Sequence, residues 1–100
     1  TRRSSDLIDA VEADRIGLVN RVVPENELDA YVNDVAERIA AGPPLALSMS
    51  KALLNNGAQT SMSQALEAEG QAQSTNFATN DVREAGQAWL EKRSAKFTGS

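Results

Sequence analysis

The sequence predicts a mostly α-helical chain that carries one β-strand. Three observations predict it: apolar residues recur at helical spacing in five stretches, capping residues, Pro or Gly mark most of their ends, and one β-rich run stands alone. That run is Ile16-Gly17-Leu18-Val19-Asn20-Arg21-Val22-Val23-Pro24. Leu18, Val19, Val22 and Val23 suit a half-buried strand, Gly17 marks the turn into it and Pro24 supplies the stop. A strand over 17–23 without neighbours would leave its backbone N–H and C=O groups unpaired. It therefore calls for a sheet whose other strands lie elsewhere, and the chain reads as part of something larger.

The helices follow in order. Leu7, Ile8 and Val11 at helical spacing predict a short helix over 6–15 that feeds the strand. After Pro24, a helix over 25–40 places Leu28, Tyr31, Val32, Val35, Ala36, Ile39 and Ala40 on one face. Glu25, Glu27 and Asp29 crowd its first turn and Arg38 lies in its last, as the helix dipole favours. Gly42 ends it. Pro44 suits the first turn of the next helix, over 45–54, with Leu45, Ala46, Met49, Ala52 and Leu53 on one side and Asn55-Asn56-Gly57 as terminator. Ser61 with Gln64 three residues on is a capping-box pattern for a helix over 62–78. Its stripe begins apolar with Met62, Ala65 and Leu66 and continues through Glu69, Gln73 and Phe77, a face suited to water or a partner. Thr79 and Asn80 are good caps for a last helix through 93, striped by Val82, Ala85, Gly86, Trp89 and Leu90.

Composition narrows the chemistry. The chain has 100 residues, the usual size of one domain, and no Pro/Gly/Ser-rich linker, repeat or low-complexity tract divides it. Its formal net charge of −4 argues against a protein that binds a polyanion along its surface. Nucleic acid is not an expected partner. No run of 18 apolar residues exists to span a bilayer, and the start, Thr1-Arg2-Arg3-Ser4-Ser5-Asp6, lacks the apolar core of a signal peptide, so no membrane is expected and the protein reads as cytoplasmic. With no cysteine and no histidine the chain lacks disulfides, thiol chemistry, the commonest general base and the commonest metal ligand. No metal site is expected.

Glu67 with Glu69, or Glu84 with Glu91, could be nominated as general acid/base pairs. Acids on helices are ordinarily solvated faces or cap contributions, and nothing in the sequence would raise a pKa or position a second group. The glycines 17, 42, 57, 70, 86 and 99 are scattered as punctuation and form no phosphate cradle. The group Trp89, Lys92, Arg93, Lys96 and Phe97 differs, because it sets two of the four aromatics beside three cations in an acidic chain. An aromatic face beside cations suits a phosphorylated ligand with a planar ring. A packed Trp89 and Phe97, with cations complementing a helix C-terminus, is the plainer reading, and both stay open.

The run Glu12-Ala13-Asp14-Arg15 followed by the strand closely resembles the segment that precedes the C-terminal helices of the crotonase (enoyl-CoA hydratase/isomerase) superfamily. Ala36-Glu37-Arg38-Ile39-Ala40, Pro43-Pro44-Leu45-Ala46 and Ser50-Lys51-Ala52-Leu53-Leu54 resemble that family's next helices in the same order. Phe77-Ala78-Thr79-Asn80-Asp81-Val82-Arg83-Glu84-Ala85, then Ala88-Trp89-Leu90-Glu91-Lys92-Arg93 with Phe97, are similar to its closing helix and tail.

The resemblance implies the C-terminal helical part of an α/β crotonase (ClpP/crotonase-like) fold, with one strand contributed to the core. Residues 1–24 would end the core and 25–100 form a helical oligomerisation and closure region. In the family the oxyanion hole and the catalytic carboxylates lie upstream of the matched segment, so no catalytic residue is expected in this chain. The implied activity is that of an acyl-CoA-processing enzyme, an enoyl-CoA hydratase adding water to 2-enoyl-CoA in fatty-acid metabolism. A coenzyme A thioester would be substrate, with no covalently bound cofactor. Expected partners are that acyl-CoA, the N-terminal catalytic core of the same protein, and further copies in a homotrimer or hexamer. On the family's pattern Lys92 matches a lysine that reaches a CoA phosphate, and Trp89 stands where the family usually has Phe, lining the entrance. Ala85-Gly86 stands where the commoner order is Glu-Gly. Two alternatives remain: a non-catalytic, autonomous helical interaction module, and a different crotonase activity such as isomerase, hydrolase or dehalogenase.

Overall fold

In the computed structural model, which describes residues 7–100, the expected helices form and the expected strand does not. The first helix, α1, runs Ala10–Arg15, shorter than the stretch over 6–15 because Asp9 stops it. The Asp9 carboxylate accepts the Glu12 N–H at 2.8 Å, a side-chain cap on one of the donors a helix start leaves open. The expected start at Asp6 and the reading of 1–6 lie outside the described residues. Gly17 closes α1 at φ +74°, with its own N–H on Asp14 and the Leu18 N–H on Ala13. This paired closure needs a left-handed residue, which glycine supplies without a Cβ penalty.

Beyond Gly17 the strand expected over 17–23 is corrected: 18–23 runs as bends and irregular chain, and no strand occurs among the described residues. The cause is non-local. β-propensity in Leu18, Val19, Val22 and Val23 prepares a segment for a ladder, but a strand exists only through its partner, and the described residues supply none. Leu18 and Val22 accordingly stay exposed, at 67 % and 40 %. The chain resumes with a 3₁₀ turn at Glu25–Glu27 and then α2, Leu28–Ala40, so the helix expected over 25–40 begins one turn tighter than drawn. Arg21 stands over the Tyr31 ring at 5.7 Å from its centroid, a cation–π contact that ties the irregular stretch to α2.

The described residues fall into two compact units, the first ending at Val35 and the second covering Ala36–Ser100. Within the second, α3 spans Pro44–Gly57 and α4 spans Met62–Phe77. Pro44 occupies the first turn of α3, where its missing N–H is no loss. Asn55-Asn56-Gly57 does not terminate that helix; it forms the last turn, and the stop falls at Ala58. Asn-Asn-Gly breaks a helix only where a left-handed residue is needed, and Ala58 closes α3 in right-handed geometry.

Ser61 and Gln64 form the expected capping box, each side chain bonding the other's backbone N–H at 3.2 and 3.1 Å. α3 and α4 pack as an antiparallel hairpin: Ala46 near the start of α3 shares a depression with Asn76 near the end of α4, and Leu53 shares another with Ala65. The last helix, α5, spans Asn80–Glu91 and starts at Thr79, whose hydroxyl accepts the Val82 N–H and donates to the Asn76 carbonyl.

The interior of this unit is thin. Ala88 at 2 % exposure, Thr79 and Asp81 are its buried residues, with Ala46, Met49, Leu53, Ala65, Ala72 and Phe97 half-buried. Leu54, Met62, Trp89 and Leu90 are each at least three-quarters exposed (79, 76, 79 and 75 %). Apolar side chains left open on several helices are the mark of surfaces made to be covered.

Candidate functional site

The site that sequence reasoning nominated lies at the C-terminal end of α5. Lys92 closes that helix in left-handed geometry, at φ 55° and ψ 40°, and is the non-glycine residue with positive φ among those described. Its N–H bonds the Trp89 carbonyl and the next N–H, of Arg93, bonds Ala88. These are the two bonds of a Schellman closure, with lysine where glycine is preferred. α5 therefore ends at Glu91, two residues before the expected end at 93, because a left-handed residue cannot continue a right-handed helix.

After this turn the tail folds back along α5. The Arg93 guanidinium forks onto both Glu84 oxygens at 2.6 and 3.0 Å and also donates to Glu91. Bidentate charge-assisted pairs of this kind fix orientation as well as attraction. Glu84 Oε1 also accepts the Lys96 N–H at 2.8 Å. Farther along, the two Asp81 oxygens accept the Thr98 and Gly99 N–H groups at 2.8 and 2.9 Å, and Asn80 N–H donates to the Ser100 carbonyl at 2.6 Å. Gly99, at φ +73°, brings this end of the tail against Pro44, 3.4 Å from where a Cβ would stand.

These contacts set the electrostatics. The Arg93 side chain and then the Lys96 N–H hold the Glu84 carboxyl down at about 2. Arg93, and after it Gln87, lower Glu91 as well, while Glu84 and Glu91 raise Arg93 above its ordinary value. Glu84 and Glu91, nominated as an acid/base pair, are therefore committed as carboxylates to one guanidinium. They are structural ligands of Arg93. Glu67 and Glu69 do not converge either: Glu69 turns toward the depression between α3 and α4, beside Gln73, Ala46, Met49, Ser50 and Leu53.

With Arg93 engaged, Lys92 is the cation of the turn whose side chain bonds nothing among the described residues. It shares an open hollow of about 490 Å³ with Ala88, Trp89, Leu90 and Arg93. The Trp89 indole is 79 % exposed and is not buried among the described residues. Phe97 does pack, half-buried in a small apolar hollow with Pro43, Ala46, Val82 and Ala85. The sequence group is thus divided: Trp89 and Lys92 face outward together, Arg93 and Phe97 are used internally. An ammonium beside an exposed aromatic plane can hold an anion that carries an apolar or planar portion. No cluster of three acidic side chains suited to a metal occurs among the described residues.

Comparison with known proteins places the chain in a family. Residues 3–100 match the family model described as enoyl-CoA hydratase/isomerase, and the chain belongs to that family, the crotonase superfamily. It is 46 % identical over 94 residues to a crotonyl-CoA hydratase of Syntrophomonas wolfei, covering 94 % of this chain and 36 % of that protein. A short-chain-enoyl-CoA hydratase of Clostridium acetobutylicum is 41 % identical over 86 residues, covering 86 % of this chain and 33 % of that protein. The crystal structure of an enoyl-CoA hydratase from Bacillus anthracis superposes with a TM-score of 0.89 at 36 % identity, over 93 % of this chain and 36 % of that one. One from Mycobacterium smegmatis gives 0.82 at 32 % identity, over 90 % and 35 %. The chain thus spans about a third of the length of the relatives it matches.

Proposed function

We propose that this chain is the C-terminal part of an enoyl-CoA hydratase, an enzyme that adds water across the double bond of a 2-enoyl-CoA in fatty-acid metabolism. The observation that carries the reading is the match along nearly the whole chain to proteins named as hydratases, at 46 and 41 % identity for two of them. In this reading the thioester-polarising donors and the proton-transferring carboxylates belong to the N-terminal core of the same protein. Residues 1–24 end that core, and 18–23 becomes a strand when the core's sheet pairs with it. The helices of 25–100 close the active site and join subunits into a trimer or hexamer, which gives the exposed Leu54, Met62 and Leu90 something to pack against. The protein works in the cytoplasm; among the described residues no helix is long and apolar enough to cross a membrane.

Within this scheme the chain's own residues bind and do not react. Lys92 pairs its ammonium with a phosphate of coenzyme A, and Trp89 lines the entrance beside the acyl or pantetheine portion. Desolvation at this rim would be partial, so the Lys92 contact is an exposed charge pair, open to salt screening. Lys92→Ala should weaken CoA binding in the full-length protein at low ionic strength, and the deficit should shrink at high salt. Unchanged affinity at low salt would return Lys92 to a helix-end role. The protein should also turn over short enoyl-CoAs; activity confined to double-bond shift or thioester hydrolysis would move it to another branch of the family.

A further inference from the structure

We propose that Asp81 and Glu84 are positioning residues for Lys92: one turn apart on α5, they clasp the folded-back tail by its backbone and so fix the left-handed turn that presents the ammonium. The inference rests on the reading of Lys92 as a contact to an anionic, phosphate-bearing ligand. Its ground is the set of bonds around the turn. Lys92 is held from the helix side by the Schellman pair, and from the tail side by Glu84, which grips both Arg93 and the Lys96 N–H. Asp81 grips the tail farther on, at the Thr98 and Gly99 N–H groups. Three backbone donors of an extended segment, at 96, 98 and 99, thereby find carboxylate partners where a sheet edge would otherwise be needed.

The geometry is selective. Asp81 is 3 % exposed and the Glu84 side chain 23 %, whereas Lys92 and Trp89 stay open beside the hollow of about 490 Å³. The acids are thus spent on the tail: Glu84 neutralises Arg93, Asp81 accepts the Thr98 and Gly99 N–H groups, and neither pairs Lys92. A lysine in left-handed geometry is strained, and strain of this kind persists only where its surroundings over-determine it. Without the clasp, the turn is free to relax and the long Lys92 side chain must be ordered by the ligand itself. Ordering one such side chain corresponds to roughly a two- to tenfold loss of affinity.

The experiment compares Lys92→Ala, Glu84→Ala and Glu84→Gln in the full-length enzyme. Steady-state kinetics would be measured with an enoyl-CoA and with the matching enoyl-pantetheine, which lacks the nucleotide phosphates. Amide hydrogen exchange would be followed over 93–100. Glu84→Ala should speed exchange at Lys96 and raise KM for the CoA thioester about two- to tenfold. It should leave kcat, and KM for the pantetheine thioester, unchanged. Glu84→Gln, which keeps an acceptor for the Lys96 N–H, should recover part of the loss, and the Lys92→Ala/Glu84→Ala double variant should be no worse than Lys92→Ala. If Lys92→Ala raises KM while Glu84→Ala loosens the tail without raising it, the clasp is structural only and the proposal fails with the Lys92 contact intact. Unchanged exchange in Glu84→Ala overturns the clasp itself. An unaffected KM in Lys92→Ala overturns the phosphate reading, and the proposal with it.

Discussion

Replacing Lys92 by glycine should stabilise the fold relative to alanine at the same position and still weaken the hold on a CoA thioester. Lys92 sits at φ 55° and ψ 40°, where a residue with a Cβ costs about 1–2 kcal/mol and glycine nothing comparable. Glycine gives back about 0.4–1 kcal/mol because its unfolded chain is freer. The ammonium also interacts with the negative end of α5, and both variants lose that contribution equally. The difference between Lys92→Gly and Lys92→Ala therefore isolates the backbone, and should be about 0.5–1 kcal/mol in favour of glycine. In a protein of a few hundred residues that shifts the Tm by about 1–4 °C. Thermal unfolding of the two variants side by side reads the stability, and calorimetric titration with CoA reads the affinity. Equal melting points, or a less stable glycine variant, would refute the strained-turn argument. Full affinity in either variant would refute a role for the ammonium.

Other outcomes follow from the same contacts. Asp81→Ala leaves the Thr98 and Gly99 N–H groups without their acceptor in a part-buried place, which should destabilise the fold by about 2–4 kcal/mol and open the tail to proteolysis; an intact tail in that variant would contradict the bonding described. Ser61→Ala removes one half of the capping box and should lower stability by about 1 kcal/mol, with no change in the kinetics of a thioester substrate, checked by melting and steady-state assays. The Glu84 carboxyl is held down at about 2 from an ordinary value of 4.5 by Arg93 and the Lys96 N–H, with partial loss of solvation opposing. Its folded pKa is the lower one, so its contribution is complete above the ordinary value and is lost as pH falls from there toward about 2. Denaturant unfolding should show Glu84→Gln less stable than the parent at pH near 7, with the gap closing in that acid window; a gap independent of pH would rule out ionisation of Glu84 as its source.

What could be read from the residues alone was the local part. α2 announced itself through Leu28, Tyr31, Val32 and Val35 on one face, and the start of α4 through Ser61 and Gln64, because those signals act within one or two turns. The run at 18–23 reads as a strand in need of a sheet lying elsewhere, and it stays irregular among the described residues because its propensity is local but its partner is not. The ends of α3 and α5 moved because Asn55-Asn56-Gly57 met no demand for a left-handed residue, whereas Lys92 met one despite its side chain.

At the candidate site, Trp89 and Lys92 were picked out by composition and do lie together, facing outward. The clasp was missed. Glu84 had been weighed only against Glu91 as an acid/base pair, and its partners Arg93 and Lys96 lie nine and twelve residues away. A signal was present in Asp81 and Glu84 at helical spacing, followed by a basic turn and a tail of small residues long enough to return along the helix. It takes the left-handed geometry at Lys92 to turn that spacing into contact.

The central claim is that the chain closes an enoyl-CoA hydratase, and the most direct measurement is turnover by the full-length protein with crotonyl-CoA, followed by loss of the conjugated enoyl thioester and mass-spectrometric detection of the product. Formation of 3-hydroxybutyryl-CoA, with KM raised by Lys92→Ala, is the expected result; absence of hydration, isomerisation or hydrolysis on every CoA thioester tried would contradict the assignment.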